Sequence, residues 1–130
     1  EGHPVNVMRM EEWGVPDYYE LVMVTSENYL SENSDVVQKF TRAVGKGYTD
    51  AISDPQAGVD ILKKYAPEID EDIDRPGADL LQGLWKGKNG RFGTQEEVRW
   101  VSFSNWMKAR DIIDVNLDPK AAFTDKFSTK

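Results

Sequence analysis

Leu21-Val22-Met23-Val24-Thr25 follows the passage Gly14-Val15-Pro16-Asp17-Tyr18-Tyr19-Glu20 and is a continuous apolar run with β-branched residues. A strand with one wet face would alternate apolar and polar side chains, so this run predicts a strand buried on both faces. The passage before it reads as a turn, because Gly14 relaxes the backbone and Pro16 holds Val15 extended. Further upstream, Val5, Val7 and Arg9 fall on one face and Asn6, Met8 and Met10 on the other, between Pro4 and Glu11-Glu12. That alternation predicts a short edge strand.

Everything after Thr25 reads as helix and loop. Ser26 caps a short turn through Leu30, and Ser34 with Asp35 behind it caps a long helix to about Ser53. In that helix Val36, Phe40, Val44, Gly47, Tyr48 and Ala51 form an apolar stripe, while Gln38, Lys39, Arg42, Lys46 and Asp50 face solvent. Asp54-Pro55 restarts the chain as cap plus first helical residue, with Val59, Leu62 and Tyr65 on one side until Pro67. A third helix runs from Asp70 to about Trp85 and is interrupted or delayed by Pro76-Gly77. After a loop from Gly87 to Gly93, Thr94-Gln95-Glu96-Glu97 reads as a capping box that opens a helix to about Arg110. Trp100, Phe103, Trp106 and Met107 supply its buried side. In the tail, Asp118-Pro119 predicts a single helical turn, and Phe123 and Phe127 are placed to pin it down.

The 130 residues are sized for one domain, and 16 Lys+Arg against 23 Asp+Glu leave a formal net charge of -7. Apolar residues at 39% and aromatics at 11% supply a core, which excludes outright disorder. No apolar run approaches the roughly 18 residues of a membrane span, and Glu1-Gly2-His3-Pro4 has none of the features of a signal peptide. With no Cys and one His, thiolate metal sites, cysteine nucleophiles and sites needing two imidazoles are excluded. Only about eleven residues read as strand, roughly half the usual share. A doubly buried strand needs neighbours, so either a second copy pairs with it or the chain is a piece of a larger α/β protein. The passage from edge strand through a Gly/Pro turn into a buried strand and a helical tail favours the piece.

Several motifs fail on chemistry. Asp70-Glu71-Asp72-Ile73-Asp74 carries carboxylates at the first, third and fifth positions of a calcium loop, but Arg75 stands where glycine is needed and Leu81 where a bidentate glutamate is needed. The reading is a helix start favoured by the helix dipole. Gly83, Gly87, Gly90 and Gly93 with Lys88 lack phosphate-loop spacing, and Asn89 replaces the metal-binding hydroxyl. Lys86, Lys88 and Arg91 beside Trp85 and Phe92 form a basic and aromatic patch, but the acidic balance opposes nucleic acid as a partner. His3 has no neighbouring ligand or nucleophile, and no nucleophile elbow exists. The remaining candidate is Trp13 to Glu20, where one Trp, two Tyr and the carboxylates of Asp17 and Glu20 stand beside a crossover that could border a cleft. The same residues also suit hinge packing in which tyrosine hydroxyls cap backbone groups.

Residues 14–26, GVPDYYELVMVTS, resemble the second interlobe crossover of ABC-transporter substrate-binding proteins of the thiamine-pyrimidine-precursor and sulfonate/nitrate/taurine group. ENYLSENSDVVQKFTRAVGKGYTDAISDPQAGVDILKKYAPEID is similar to the returning helices of that group. EEVRWVSFSNWMKARDIID and DPKAAFTDKF are similar to its Trp-bearing C-terminal helix and Phe-bearing tail. The resemblance implies an α/β fold: a mostly helical C-terminal portion, with few strands, of a two-lobed type II periplasmic-binding-protein fold. Residues 1–10 then end the second lobe as an edge strand, 11–25 form the crossover and buried strand, and 26–130 return to the first lobe. The implied role is solute binding for an ABC importer, with no catalysis, no catalytic residues, no cofactor and no metal. The ligand is a small heteroaromatic of the aminopyrimidine kind, or alternatively a sulfonate, nitrate or taurine. The implied partner is a membrane permease, and the location extracytoplasmic, periplasmic or lipid-anchored, with the targeting signal absent from this chain. By position the resemblance puts Tyr18, Tyr19 and Glu20 at the ligand, then Asp17 and Trp13. Strand alternation sends Tyr18 and Glu20 to one side and Tyr19 to the other, and Glu20 ranks first because a carboxylate accepts from an exocyclic amine. A reading of a different kind is a helical interaction module that binds a protein through its Trp-rich helix. Unpaired strand edges also imply self-association of the isolated chain.

Overall fold

The computed structural model describes residues 3–87, 90–113 and 117–128. Among these residues there are five α-helices, several short 3-10 turns and no β-strand. The chain divides into two units, Glu1–Val24 with Gln95–Thr124 and Thr25–Thr94 with Asp125–Lys130.

Both strand expectations are corrected. Residues 5–9 and 21–25 belong to no sheet, and Leu21 and Val24 are each 87% exposed. A strand is defined by a ladder to a neighbour, and no segment among the described residues supplies one. The apolar run therefore keeps its composition but pairs with no strand among the described residues.

In the unit from Thr25, α1 (Glu27–Glu32) starts where Ser26 Oγ accepts the Tyr29 N–H at 3.2 Å. Helix α2 (Ser34–Ser53) begins one residue earlier than expected: Asn33, not Ser34, holds the N-cap position, and it makes no side-chain cap bond. Its covered side carries Val37, Thr41, Val44, Gly45 and Tyr48, while Val36 and Phe40 are exposed. The expected stripe is therefore shifted by one residue at its N-terminal end. Helix α3 (Pro55–Tyr65) follows expectation, with Asp54 Oδ1 accepting the Ala57 N–H at 3.0 Å and Pro55 in the first turn. A Cβ on Gly58 would lie 3.5 Å from Ala51 Cβ, so α2 and α3 pack closely there.

Helix α4 (Glu71–Leu81) is neither interrupted nor delayed by Pro76, which lies inside it, and it ends in a 3-10 turn, Gln82–Leu84. The residue before the proline fastens that part of α4 to α3. Arg75 Nη1 donates to Gln56 Oε1 at 3.2 Å, Nη2 to Asp60 Oδ1 at 2.6 Å, and Nε to Glu71 Oε2 at 3.0 Å. Gln56 Nε2 donates in turn to Asp79 Oδ1 at 2.9 Å, and Lys63 pairs with Glu71. The Arg75 hydrogen bond and charge hold the Asp60 carboxyl below its ordinary range. The acidic run thus serves structure, since Asp70 Oδ1 caps the Asp72 N–H at 3.0 Å and Glu71 joins two cations.

The glycine loop is folded where it is described. The Gly90 N–H donates to the Gly87 carbonyl at 2.8 Å. Phe92 stacks on Tyr48 at 4.5 Å, and Trp85 meets the same ring edge-on at 5.7 Å. A Cβ at Gly87 would stand 2.7 Å from the Arg91 carbonyl oxygen, so only glycine fits without a shift. Both aromatic rings of the basic patch are thereby engaged with Tyr48, while Lys88 and Asn89 lie outside the described residues. The tail closes this unit as expected of Phe127, which is 7% exposed, and Arg91 Nη2 donates to Ser128 Oγ at 3.3 Å. No helix among the described residues is long and apolar enough to cross a membrane.

Candidate functional site

The other unit is organised by α5 (Glu97–Lys108), and its start differs from expectation. Thr94 Oγ1 bonds the Arg91 carbonyl, and no side chain of the expected capping box caps the helix. The Glu96 N–H donates instead to Tyr19 Oη at 2.7 Å, across 77 residues of sequence. A phenol oxygen thus takes the N–H of the N-cap residue, the bond that the N3 side chain of a capping box would make, and a tyrosine hydroxyl capping a backbone group is the alternative read for 13–20. Tyr19→Phe keeps the ring and removes only this acceptor. It should lower stability by about 1 kcal/mol in urea unfolding. An unchanged midpoint would count against the bond.

The turn before Tyr19 is set by local geometry. A 3-10 turn, Met10–Trp13, ends at Gly14 with φ 81°, a left-handed conformation that suits glycine. The Val15 N–H then bonds the Met10 carbonyl at 3.2 Å. From there residues 17–19 are brought to α5. Tyr18 stacks on Phe103 with centroids 4.5 Å apart, and Phe103 lies nearly parallel to Trp106 at 5.8 Å. Trp100 stacks on Phe123 at 5.8 Å with an interplanar angle of 2°, and tilts against Tyr19 at 6.1 Å. Its indole N–H donates to Gln95 Oε1 at 2.7 Å. The predicted helical turn is present as Pro119–Ala122, where Asp118 Oδ1 accepts the Lys120 N–H at 3.0 Å. Lys120 Nζ reaches Glu97 Oε1 at 2.8 Å, which ties the turn to α5 and holds the Lys120 ammonium above its ordinary pKa.

Between α5, Tyr18 and Tyr19, and residues 117–122 lies a partly open cavity of about 400 Å³. That volume is in the range of small-molecule sites. Its walls are mainly aromatic and aliphatic, with Trp100, Phe103 and Met107 at helical spacing on α5. Arg99 and Asp118 are the charged lining residues among those described. Arg99 Nη2 pairs with Asp17 Oδ2 at 2.7 Å, its Nε stands 3.5 Å from Glu96 Oε2, and its guanidinium lies 4.9 Å from the Tyr19 ring centroid. The chamber can therefore hold a flat ring against aromatic surface, with polar groups on its lining.

Of the five residues singled out by sequence, Tyr18 and Tyr19 line this cavity. Asp17 stands behind Arg99 as its ion-pair partner. Glu20 and Trp13 are exposed and do not line it. Sequence reasoning assigned Trp100, Phe103 and Met107 to packing and passed over Arg99. The available signal was a cation at position 99 among aromatics spaced by three and four residues.

Comparison with known proteins bears out the resemblance. The family model described as NMT1/THI5 like matches residues 1–58. The formylaminopyrimidine-binding protein of Halalkalibacterium halodurans is 27% identical over 128 residues, which is 95% of this chain and 39% of that protein. The riboflavin-binding protein RibY of Chloroflexus aurantiacus is 23% identical over 111 residues, 81% of this chain and 32% of that protein. The chain is thus similar to substrate-binding proteins of the pyrimidine-precursor group, and it spans less than two fifths of the length of each of these relatives.

Proposed function

We propose that the protein containing this chain is a non-enzymatic solute receptor of an ABC importer, working outside the cytoplasmic membrane with a membrane permease. Its ligand in this reading is a small heteroaromatic such as an aminopyrimidine, enclosed by a two-lobed fold in which residues 11–25 cross between lobes. The observation that carries the reading is the aromatic cavity that Tyr18 and Tyr19 share with α5. The relatives named for binding formylaminopyrimidine and riboflavin support it, since both names denote nitrogen heteroaromatics.

In this reading Tyr18 and Tyr19 offer ring faces, and Glu20, exposed beside them, accepts from the exocyclic amine of the ligand as the full protein closes. Asp17 and Trp13, which do not line the cavity in this chain, border the ligand in this reading once the full protein closes on it. Titration of the full-length protein with hydroxymethylpyrimidine and with taurine tests the proposal. The pyrimidine should bind and taurine should not. Glu20→Ala should weaken the pyrimidine about ten- to a hundredfold, about 1.5–3 kcal/mol, because an amine loses its charged acceptor. Tyr18→Ala should cost less. A Glu20→Ala variant that binds like the parent removes Glu20 from the site, and a parent that binds only taurine removes the pyrimidine assignment.

A further inference from the structure

We infer that Asp17 sets the charge selectivity of the aromatic cavity by masking Arg99, so that the chamber accepts uncharged planar rings and rejects sulfonated ones. The inference rests on the cavity being the ligand site and adds the device that discriminates among ligands. A sulfonate is ordinarily recognised by a guanidinium, whose planar fork meets its oxygens with parallel hydrogen bonds. Arg99 is the only cation among the described lining residues, so it is the group an anionic ligand would have to use. That fork is already turned to protein carboxylates, with Asp17 Oδ2 2.7 Å from Nη2 and Glu96 Oε2 3.5 Å from Nε. The guanidinium carbon lies over the Tyr19 ring, 4.9 Å from the centroid.

Charge around the chamber adds to this. Arg99 stands against two carboxylates, those of Asp17 and Glu96, and a third, that of Asp118, lines the cavity. Lys120 and Glu97 pair with each other and add no net charge. An incoming sulfonate would meet the Asp118 carboxylate on the lining and would have to displace Asp17 to reach the guanidinium. A neutral heteroaromatic avoids both costs and uses the ring faces. Among the three carboxylates Asp17 is the adjustable one. Glu96 belongs to the start of α5, and Asp118 caps the turn at Pro119–Ala122. Asp17, by contrast, is 63% exposed in its side chain and is held through the ion pair to Arg99.

The test compares hydroxymethylpyrimidine with benzenesulfonate, a flat ring of similar size carrying the anion, on the full-length protein by calorimetry. The parent should prefer the pyrimidine. Asp17→Asn should shift the ratio of the two affinities about tenfold toward benzenesulfonate, a modest size because the pair is partly solvated. The gained sulfonate binding should weaken as salt is raised. Asp17→Glu, which keeps the charge, should keep the parent's ratio. A general loss of stability lowers both affinities together and leaves the ratio alone. If the pyrimidine binds and the ratio is the same in Asp17→Asn, the masking role is overturned and the receptor reading stands. If the parent prefers benzenesulfonate, the masking role is overturned as well. If the parent binds neither ring, the receptor reading falls and the inference falls with it.

Discussion

Replacement of Phe127 by alanine is expected to cost about 3–4 kcal/mol of folding free energy in the unit built from 25–94 and 125–128, the toll of emptying a buried phenyl site. Phe127 and Val59 are the buried hydrophobic residues among those described. With so few fully covered side chains, each one matters, and the larger ring matters more. The competing candidate is the polar clamp of Arg75 with Gln56, Asp60 and Glu71, which is richer in bonds. Its carboxylates are partly or largely in water, so each pair contributes on the order of 0–1 kcal/mol and the ring outweighs any one of them. Hydrogen exchange on the full-length protein is the suitable measurement. Slow amides of α2 and α3 should exchange more than a hundredfold faster in Phe127→Ala, the factor that about 3 kcal/mol sets on an opening equilibrium. Amides that keep their parent rates would show that the tail does not secure this unit.

The position of Phe127 was readable in the sequence, because an aromatic near the end of a polar tail has few roles other than an anchor. Helix starts were equally readable where the cap is local, as at Ser26, Asp54 and Asp118, each of which bonds a backbone N–H two or three residues on. The start of α5 was not readable in that way. Thr94 to Glu97 has capping-box letters, but the acceptor came from Tyr19, and no local pattern encodes a partner 77 residues distant. The strands failed for a related reason. Leu21 to Thr25 has the composition of a covered strand, and composition reports what a segment can bury but not whether a neighbour is there to bury it. Pro76 failed on energetics: a proline weighs against a helix by a few kcal/mol at most, and contacts through Arg75 can offset a penalty of that size. At the candidate site, Tyr18 and Tyr19 stood out because two aromatics beside a Gly/Pro turn are unusual. Arg99 did not, because its meaning depends on Asp17 reaching it from the other end of the chain.

Trp100→Ala is the second large effect expected, and it falls on the unit that holds the cavity. The indole touches three things at once: Phe123 in a parallel stack at 5.8 Å, Tyr19 at 6.1 Å, and Gln95 Oε1 through its N–H at 2.7 Å. Full burial of a tryptophan would put truncation at about 3–5 kcal/mol, and partial exposure of this one brings the expectation to about 2–3 kcal/mol. Because Trp100 also lines the cavity, the same change widens the chamber and removes a ring face, so ligand affinity should fall even at temperatures where the variant remains folded. The two consequences can be separated. Phe123→Ala removes the stacking partner, yet Phe123 is not among the described lining residues. It should therefore lower stability by a smaller amount with less effect on binding. The double variant should show a coupling of about 1 kcal/mol between the two rings in urea unfolding, as expected of a stacked aromatic pair in contact. Strictly additive effects would mean that the parallel rings do not support each other. A Trp100→Ala variant that loses stability but binds pyrimidine as tightly as the parent would put the ligand elsewhere and leave Trp100 as packing alone.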